Sequence, residues 1–276
     1  MLVRLNPGEI ILGALLSLEL VFLLAAFGIP LVASLVLDQP WILIGGGLLP
    51  LAFALWGYLA KRVIGQFNYT LAQTPGGLRV ARGLTTLASQ TVPTHRVQAI
   101  QVTQPVLWRL IGRYRIDVTV LGSVEVDSSG DTSTATLLLP VGTAAQVRVA
   151  LDAVWPGLRL DAIAITPSPR RARWLEPLAA AWNGHGFDDQ VLVARHGWFQ
   201  RREFVVPHAR LQSIALHQGP IDRRVGIATV ALHTSNPLGG GRIVHMDAAS
   251  ARSLVLDEMV RARTARTDEL LTRRAT

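Results

Sequence analysis

One stretch of the sequence occurs twice, as Pro93-Thr94-His95-Arg96-Val97-Gln98-Ala99-Ile100 and as Pro207-His208-Ala209-Arg210-Leu211-Gln212-Ser213-Ile214. The correspondence continues without a gap, because Gln104 aligns with Gln218 and the pair Ile111-Gly112 aligns with Val225-Gly226. Ordered identities of this kind are the signature of an internal repeat. The chain therefore contains a duplicated unit, and its two halves are called copy one and copy two below.

Each copy has the same order of predicted elements. In copy one, alternating apolar and polar residues predict strands at 67–72, 77–83, 85–92, 97–102, 114–121 and 134–139. A helix is predicted at 143–155, with Thr143 and Gln146 as a capping box. Copy two closes with a helix predicted at 248–263, whose apolar face carries Ala251, Leu254, Val255 and Met259. Strands followed by one amphipathic helix indicate a mainly β fold, a small sandwich or open barrel plugged by its C-terminal helix.

Two apolar runs precede copy one, at 10–37 and 41–60, and they are separated only by Asp38-Gln39-Pro40. Each run is long enough for a helix to cross a bilayer core of roughly 30 Å. The sequence therefore predicts a transmembrane helical hairpin. Arg4, Lys61 and Arg62 flank the hairpin and the turn carries only an acid, so the positive-inside rule places both termini in the cytoplasm.

Glu19 is the one ionisable residue that falls well inside a predicted span. A charged group in a membrane is a candidate for function, such as proton transfer. The alternative is a protonated carboxyl group that hydrogen-bonds across the hairpin or to a partner helix. The sequence favours the alternative, because no second intramembrane acid or base accompanies Glu19.

The repeated Pro-x-x-Arg-(Val/Leu)-Gln-x-Ile strand, the Gln…(Ile/Val)-Gly turn and the apolar hairpin resemble the bacterial pleckstrin-homology-like (PH-like) family bPH2, the membrane proteins of the YdbS–YdbT type. The resemblance covers nearly the whole chain. It implies a seven-stranded PH-like sandwich with a C-terminal helix in each copy, and it implies no defined chemistry. The expected organisation is a cytoplasmic N-terminus at 1–8, the transmembrane hairpin at 9–61, PH-like domain 1 at 66–158, a linker at 159–184, PH-like domain 2 at 185–263 and a basic tail at 264–276.

Four polar positions recur in the repeat, as Arg96 and Gln98 in copy one and Arg210 and Gln212 in copy two. They could form a recognition surface, or they could support the fold by pairing across the sheet and satisfying loop backbone. We favour the structural role, because duplicated positions are often determinants of the fold. Gly112 and Gly226 are expected to satisfy a turn that excludes a side chain.

Basic residues are the candidates for contact with lipid. They are Lys61, Arg62, Arg79, Arg82, Arg170, Arg171, Arg201 and Arg202. The spacing is loose, so attraction to an anionic bilayer surface is favoured over a specific head-group pocket. The segment behind Arg170 and Arg171 is too short to cross a membrane, and it either lies at the bilayer surface or is an ordinary linker.

The composition disfavours several classes of function. The chain has no cysteine, which excludes disulfides and thiolate metal sites, and its histidines have no metal-ligand spacing. Ser123, Ser128 and Ser129 lie in a hairpin tip without a nucleophile elbow, and the glycines at 239–241 precede no helix that could bind phosphate. The net charge is +8 with 27 Lys and Arg residues, but these residues form no stripe with interleaved aromatics, so nucleic acid is not an expected partner.

We therefore expect no catalytic residue, cofactor or metal. The favoured function is a non-enzymatic interaction or scaffold module anchored in the bacterial inner membrane, with a protein partner at the cytoplasmic face. The alternatives are a sensor of anionic lipid and an accessory subunit of a membrane transport or enzyme complex.

Overall fold

The computed structural model describes residues 1–83, 88–122, 125–126, 132–133, 135–235 and 240–275. Ser123, Ser128, Ser129 and Gly239, which were considered above, lie outside these residues.

The N-terminal part is helical. It contains β1 (Val3–Arg4), α1 (Pro7–Leu15), α2 (Leu18–Leu37), α3 (Pro40–Leu43), a π-helical turn (Ile44–Leu48) and α4 (Leu49–Arg62). The expectation of one continuous helix over 10–37 is wrong at its beginning. The hydroxyl of Ser17 accepts a hydrogen bond from the backbone N–H of Leu20 at 3.1 Å and caps α2, so the apolar run is divided there.

Two helical stretches are long and apolar enough to cross a membrane, one formed by α2 and the other by the π-helical turn together with α4. They cover Leu18–Leu37, with a mean hydropathy of 2.7, and Gly45–Gln66, with a mean hydropathy of 1.3. Only 11% and 6% of the two apolar windows are buried against the rest of the chain. The helices therefore leave the β-rich part of the molecule with their apolar side chains exposed.

Copy one contains β2 (Thr70–Thr74), β3 (Gly77–Arg82), β4 (Ala88–Val92), β5 (Val97–Pro105), β6 (Arg113–Val120), β7 (Glu125–Val126), β8 (Thr132–Ser133), β9 (Ala135–Thr143) and α5 (Ala144–Val154). The capping box predicted for α5 is confirmed. The backbone N–H of Gln146 donates to the Thr143 hydroxyl at 3.3 Å, and the Thr143 N–H donates to the Gln146 side chain at 2.8 Å.

Copy two contains β10 (Thr166–Pro167), β11 (Gly184–Phe187), β12 (Val191–His196), β13 (Gln200–Pro207), β14 (Ser213–His217), α6 (Pro220–Val225), β15 (Ile227–His233), β16 (Arg242–Asp247) and α7 (Ala248–Ala275). Helix α7 is longer than predicted, because it ends at Ala275 and not at residue 263. No proline or glycine interrupts residues 248–275, and Arg210 pairs with Glu269 at 2.7 Å, which holds the added turns against copy two.

One sheet runs through both copies. Its strand order is β10-β11-β12-β13-β5-β6-β9, so copy two supplies the first four strands and copy one supplies the last three. The joint is the antiparallel pair β13 and β5, in which Val205 lies opposite Ile100 and Arg202 lies opposite Thr103. The copies are thus connected by backbone pairing as well as by the chain.

The two faces of the β12–β13 hairpin belong to different cores, because successive side chains of a strand point to opposite faces. Val191, Val193 and Val205 are buried in the core of copy one, which also contains Leu151 and Val154 of α5. The other face contributes to the core of copy two, with Leu192, Ala194, Phe204 and Val206. The hairpin is therefore a layer shared by both copies.

The remaining sheets have the orders β1-β2-β3-β4, β14-β15-β16 and β7-β8. Within the described residues β4 and β14 are edge strands, so the sheets are open. The predicted mainly β fold with PH-like domains and a C-terminal helix is confirmed. The described strands do not close into a barrel.

Candidate functional site

The repeated polar positions meet at the junction of the two copies. The Ser235 hydroxyl donates to Gln98 Oε1 at 3.2 Å, and Gln212 Nε2 donates to the same hydroxyl at 2.9 Å. Gln98 is buried, with 4% of its surface exposed. Both repeated glutamines thus act on one residue of copy two, which supports the structural role that the sequence favoured.

The repeated arginines differ from each other. Arg210 donates to the backbone carbonyl of His95 at 3.3 Å and to Glu269 at 2.7 Å, so it connects copy one, copy two and α7 through its guanidinium group. Arg96 has an exposed side chain, and its backbone carbonyl accepts a hydrogen bond from Gln98 Nε2 at 3.2 Å. The structural role is therefore carried by the side chain in copy two and by the backbone in copy one.

Both repeated glycines have a left-handed backbone. The φ angle is +59° at Gly112 and +72° at Gly226, a conformation that L side chains rarely adopt. Gly226 ends α6, and its carbonyl accepts a hydrogen bond from Arg171 at 2.9 Å. These positions serve turns, as expected.

The helical hairpin joins the β-rich part at one end, called here the hairpin end. Trp108 Nε1 donates to the carbonyl of Gly13 at 3.0 Å and fixes α1 against copy one. The hydroxyl of Tyr58 donates to the carbonyl of Ala14 at 2.6 Å and lies 2.8 Å from the hydroxyl of Ser17. These contacts hold the start of α2 and the end of α4 beside the loop that carries Trp108.

The same loop contacts copy two. The backbone N–H of Val106 donates to the carbonyl of Phe199 at 2.8 Å, and Arg109 donates to the carbonyl of Trp198. The neighbouring Gly197 N–H donates to the side chain of Asn183 at 3.1 Å. The β12–β13 tip and the segment before β11 therefore lie at the hairpin end as well.

Large apolar side chains are exposed along this end. The loop after β5 exposes 81% of Leu110, and the β12–β13 tip exposes 55% of Phe199. The segment that carries Arg170 exposes 89% of Trp174 and 60% of Leu178, and α6 exposes 63% of Ile221. These five residues are called the apolar rim. Leu110 and Phe199 lie on the two bonded loops, and Asn183 and Arg171 connect the segment of Trp174 to the β12–β13 tip and to the end of α6. Exposed apolar residues of this kind mark contact sites.

Most of the basic residues singled out from the sequence have places near the rim. Arg62 ends α4, Arg82 ends β3, Arg170 lies beside Trp174, and Arg201 and Arg202 begin β13. The guanidinium carbon of Arg201 lies 4.5 Å from the centre of the Trp182 ring. Burial, together with the nearby charge of Arg201, lowers the pKa of the Arg109 guanidinium. These arginines bring positive charge to the region of the hairpin end, where Glu19 lies beside Arg62.

Arg171 and Arg79 are placed differently. Arg171 bonds to Asp247 and to the Gly226 carbonyl, so its guanidinium group serves the fold. Arg79 lies in the middle of β3 and donates to Ser89 at 3.3 Å. Lys61 belongs to α4 beside Arg62.

Glu19 was expected well inside an apolar span. It lies instead in the first turn of α2. Its side chain is 63% exposed, and its carboxylate lies 3.9 Å from Arg62. The reason is the Ser17 cap, which begins α2 one residue before Glu19 and leaves the carboxylate at the favourable N-terminal end of the helix dipole.

A buried ionic group in copy two was not predicted. His208 contacts Glu258 through Nδ1, and its Nε2 lies 2.9 Å from the carbonyl of Asp188. The side chains of His208 and Glu258 are 2% and 0% exposed, and Arg261 lies 3.6 Å from the second carboxylate oxygen. The sequence did contain a signal for this pair, because Glu258 lies three residues after Val255 on the apolar face of the predicted closing helix. Glu258 takes the inward place there, and Met259 is 53% exposed.

Burial alone lowers the pKa of His208, but the hydrogen bonds to Glu258 and Asp188 and the charge of Glu258 raise it by more. The pKa of His208 therefore lies above its usual value. Within the described ranges no three His, Asp or Glu side chains are grouped as metal ligands.

Comparison with known families agrees with the repeat. The profile of the family described as "Bacterial PH domain" matches residues 14–155 and again residues 137–259. The two matches correspond to copy one and copy two, and together they cover most of the chain. No curated protein matches the chain. The resemblance inferred from the repeated strand is thus confirmed, and the chain belongs to the bacterial PH domain family.

Proposed function

We propose that the chain is a non-enzymatic membrane module, in which α2 and α4 anchor two fused PH-like copies and the apolar rim rests on the cytoplasmic face of the same bilayer. The observation that carries the proposal is the position of the rim. Leu110 and Phe199 are exposed on two loops that contact each other beside α1. The segment of the exposed Trp174 is bonded to the β12–β13 tip through Asn183 and, through Arg171, to the end of α6, which exposes Ile221. An apolar side chain in the bilayer interface recovers the hydrophobic free energy that it loses in water.

The charges support the same orientation. Arg170 shares a helical turn with Trp174, and Arg201 lies two residues after Phe199. An arginine near an anionic leaflet gains about 1 kcal/mol. The exposed opposite parts of the β-rich unit then remain free for a protein partner. In this arrangement the membrane fixes the location of the module, and the two copies present its interaction surfaces.

The proposal is tested with single cysteines in the cysteine-free chain, labelled with an environment-sensitive dye and placed in lipid nanodiscs. Phe199→Cys and Ile221→Cys report on the rim. Asp189→Cys is the matched control, because the turn before β12 lies at the opposite end of the strand from Phe199. We expect blue-shifted emission and quenching by brominated lipid at the two rim positions and neither effect at residue 189.

Equal emission at all three positions would reject the rim as a bilayer contact. The sensor of anionic lipid is a second candidate, favoured by the closeness of Arg109 and Arg201. It predicts that the rim signals require anionic lipid in the nanodisc. If the chain is the membrane module proposed above, the blue shift and the quenching at the rim positions persist, at reduced strength, in zwitterionic lipid, because the hairpin keeps the rim at the bilayer surface.

A further inference from the structure

The edge of copy one is filled by a strand of copy two. Strand β5 pairs with β6 on one side and with β13 on the other. Val205 of β13 and Val193 of β12 lie in the same core cluster as Leu158, and Trp155 packs against that cluster. Strand β13 thus fills the outer edge of β5 and contributes to the core of copy one.

Strand β14 is the counterpart of β5, because Ile214 occupies the place of Ile100 in the repeated motif. It pairs only with β15 among the described residues, so its outer edge has no strand partner there. A groove of about 230 Å³ runs between this strand and α7. Its β14 side is lined by Leu211, Gln212, Ser213 and Ile214, and its α7 side by Met259, Ala262, Arg263 and Arg266.

Both walls of the groove in copy two are available to a ligand. The outer edge of β14 has no strand partner among the described residues, and Met259 on the α7 side is 53% exposed. Copy two thus keeps an unfilled strand edge at the place where copy one receives β13.

We infer that the groove between β14 and α7 binds an extended, acidic segment of a partner protein by strand addition. Backbone groups of β14 pair with the segment as β5 pairs with β13, since the free edge of a sheet is a template for another strand. Alternate apolar side chains of the segment pack on Ile214 and Met259. Acidic side chains meet Arg263 and Arg266, whose charges favour carboxylates.

A second copy of this chain fits the groove poorly. A second copy could offer its own β14, but this would bring a second Arg263 and Arg266 beside the first pair, and like charges repel. It could also offer β4, but the positions on β3 and β4 that correspond to Val193 and Val205 are occupied by Arg79 and Thr91. These polar side chains would be buried where the joint in this chain buries valines, and burial of a charge is unfavourable. This site goes beyond the proposed function, because it does not require a bilayer.

The test measures, by fluorescence anisotropy, the binding of fluorescein-labelled peptides to the full chain in detergent micelles. One peptide alternates valine with glutamate, and the other alternates valine with lysine. We expect the valine–glutamate peptide to bind about tenfold more tightly than the valine–lysine peptide, as two exposed charge contacts would give. Binding should slow amide hydrogen exchange in β14. A valine–glutamate peptide that is N-methylated at every residue should not bind, because neither of its edges can donate backbone hydrogen bonds to the strand.

The variant Arg263→Glu with Arg266→Glu should remove or reverse the charge preference. Its matched control, Arg242→Glu with Arg252→Glu, makes the same change of charge outside the groove and should bind as the wild type does. Failure of the glutamate peptide to bind, unchanged binding in the groove variant, or equal binding of the N-methylated peptide would overturn the proposal. Self-association lost in the groove variant alone would also overturn it, since the occupant would then be a second copy. None of these outcomes depends on whether the rim contacts a bilayer.

Discussion

Gln98 and Gln212, which occupy the same position in the two copies, are joined through one hydroxyl group. Ser235 donates to Gln98 Oε1 at 3.2 Å and accepts from Gln212 Nε2 at 2.9 Å. A position duplicated with the unit has therefore become a contact between the units. This explains why a polar residue is retained at a place that is buried in copy one, where an unpaired amide would be unfavourable.

The Gln98–Ser235 contact can be measured by a double-mutant cycle. We expect Gln98→Ala and Ser235→Ala to show a coupling free energy of about 0.5–1.5 kcal/mol in chemical denaturation of the full chain in detergent, the usual range for one hydrogen bond. The pair Gln212→Ala and Gln98→Ala should also couple through Ser235. Strictly additive effects would mean that the hydroxyl does not connect the copies.

The shared β12–β13 layer predicts that the copies unfold together. Val193→Ala removes buried methyl groups from the core of copy one, although the residue belongs to copy two. We expect a loss of about 2–3 kcal/mol in the free energy of unfolding. Hydrogen exchange should accelerate in β5 and β6 of copy one as much as in β12.

Ala194→Gly is the comparison for this variant, because Ala194 faces the core of copy two. It should destabilise both copies as well, since the layer is common. An accelerated exchange confined to copy two in either variant would contradict a shared layer and favour independent domains.

The ionic group at His208 predicts a pH-dependent stability. Because the folded-state pKa of His208 is raised, its contribution is complete below the unfolded value of roughly 6.5 and is lost as the pH rises through the folded-state pKa. Glu258 and Arg261 are the charged groups that face His208 in this arrangement. The difference in stability between wild type and His208→Gln should therefore be largest in mild acid and should decrease toward alkaline pH.

At the acidic end the variant should lose about 3–5 kcal/mol, the cost of leaving one member of a buried ion pair without its partner. Thermal unfolding at a series of pH values measures the difference. A difference that is constant with pH, or that grows toward alkaline pH, would show that His208 is neutral in the folded protein.

The repeated glycines predict a backbone effect. Gly226→Ala should lower the free energy of unfolding by about 1–2 kcal/mol, because its φ of +72° is unfavourable for a residue with a Cβ. Gly76→Ala is the control, since the backbone of Gly76 is not left-handed and an added methyl group there would meet open space. Equal stability of the two variants would remove the turn as the reason for the repeated glycine.

Much of the fold could be predicted from local patterns. The repeat, the alternating strands of copy one and the Thr143 capping box depend on neighbouring residues, and each was found in the structure. The β13–β5 joint could not be predicted, because it pairs residues about a hundred positions apart. In β13 only Phe204, Val205 and Val206 are apolar in succession, and this short run does not indicate which strand pairs with it. The division at Ser17 was missed because the apolar character continues through both helices.

The site was predicted in the same uneven way. Basic residues and the exposed segment behind Arg170 were recognised from composition, but the rim was not, since Leu110, Phe199 and Ile221 come together only when both copies are folded. The His208–Glu258 pair was missed because its members are fifty residues apart in sequence. Arg171 was assigned to lipid, and its bond to Asp247 became visible only with β16 in place.

The central claim, that α2 and α4 form a membrane hairpin with the β-rich part inside, is tested most directly by labelling single cysteines with a membrane-impermeant maleimide. Asp38→Cys lies in the turn between α2 and α3, and Ser253→Cys lies on the exposed side of α7. We expect residue 38 to be labelled in intact cells and residue 253 only in inside-out vesicles. Labelling of both positions from the same side, or recovery of the chain in the soluble fraction without detergent, would contradict the account.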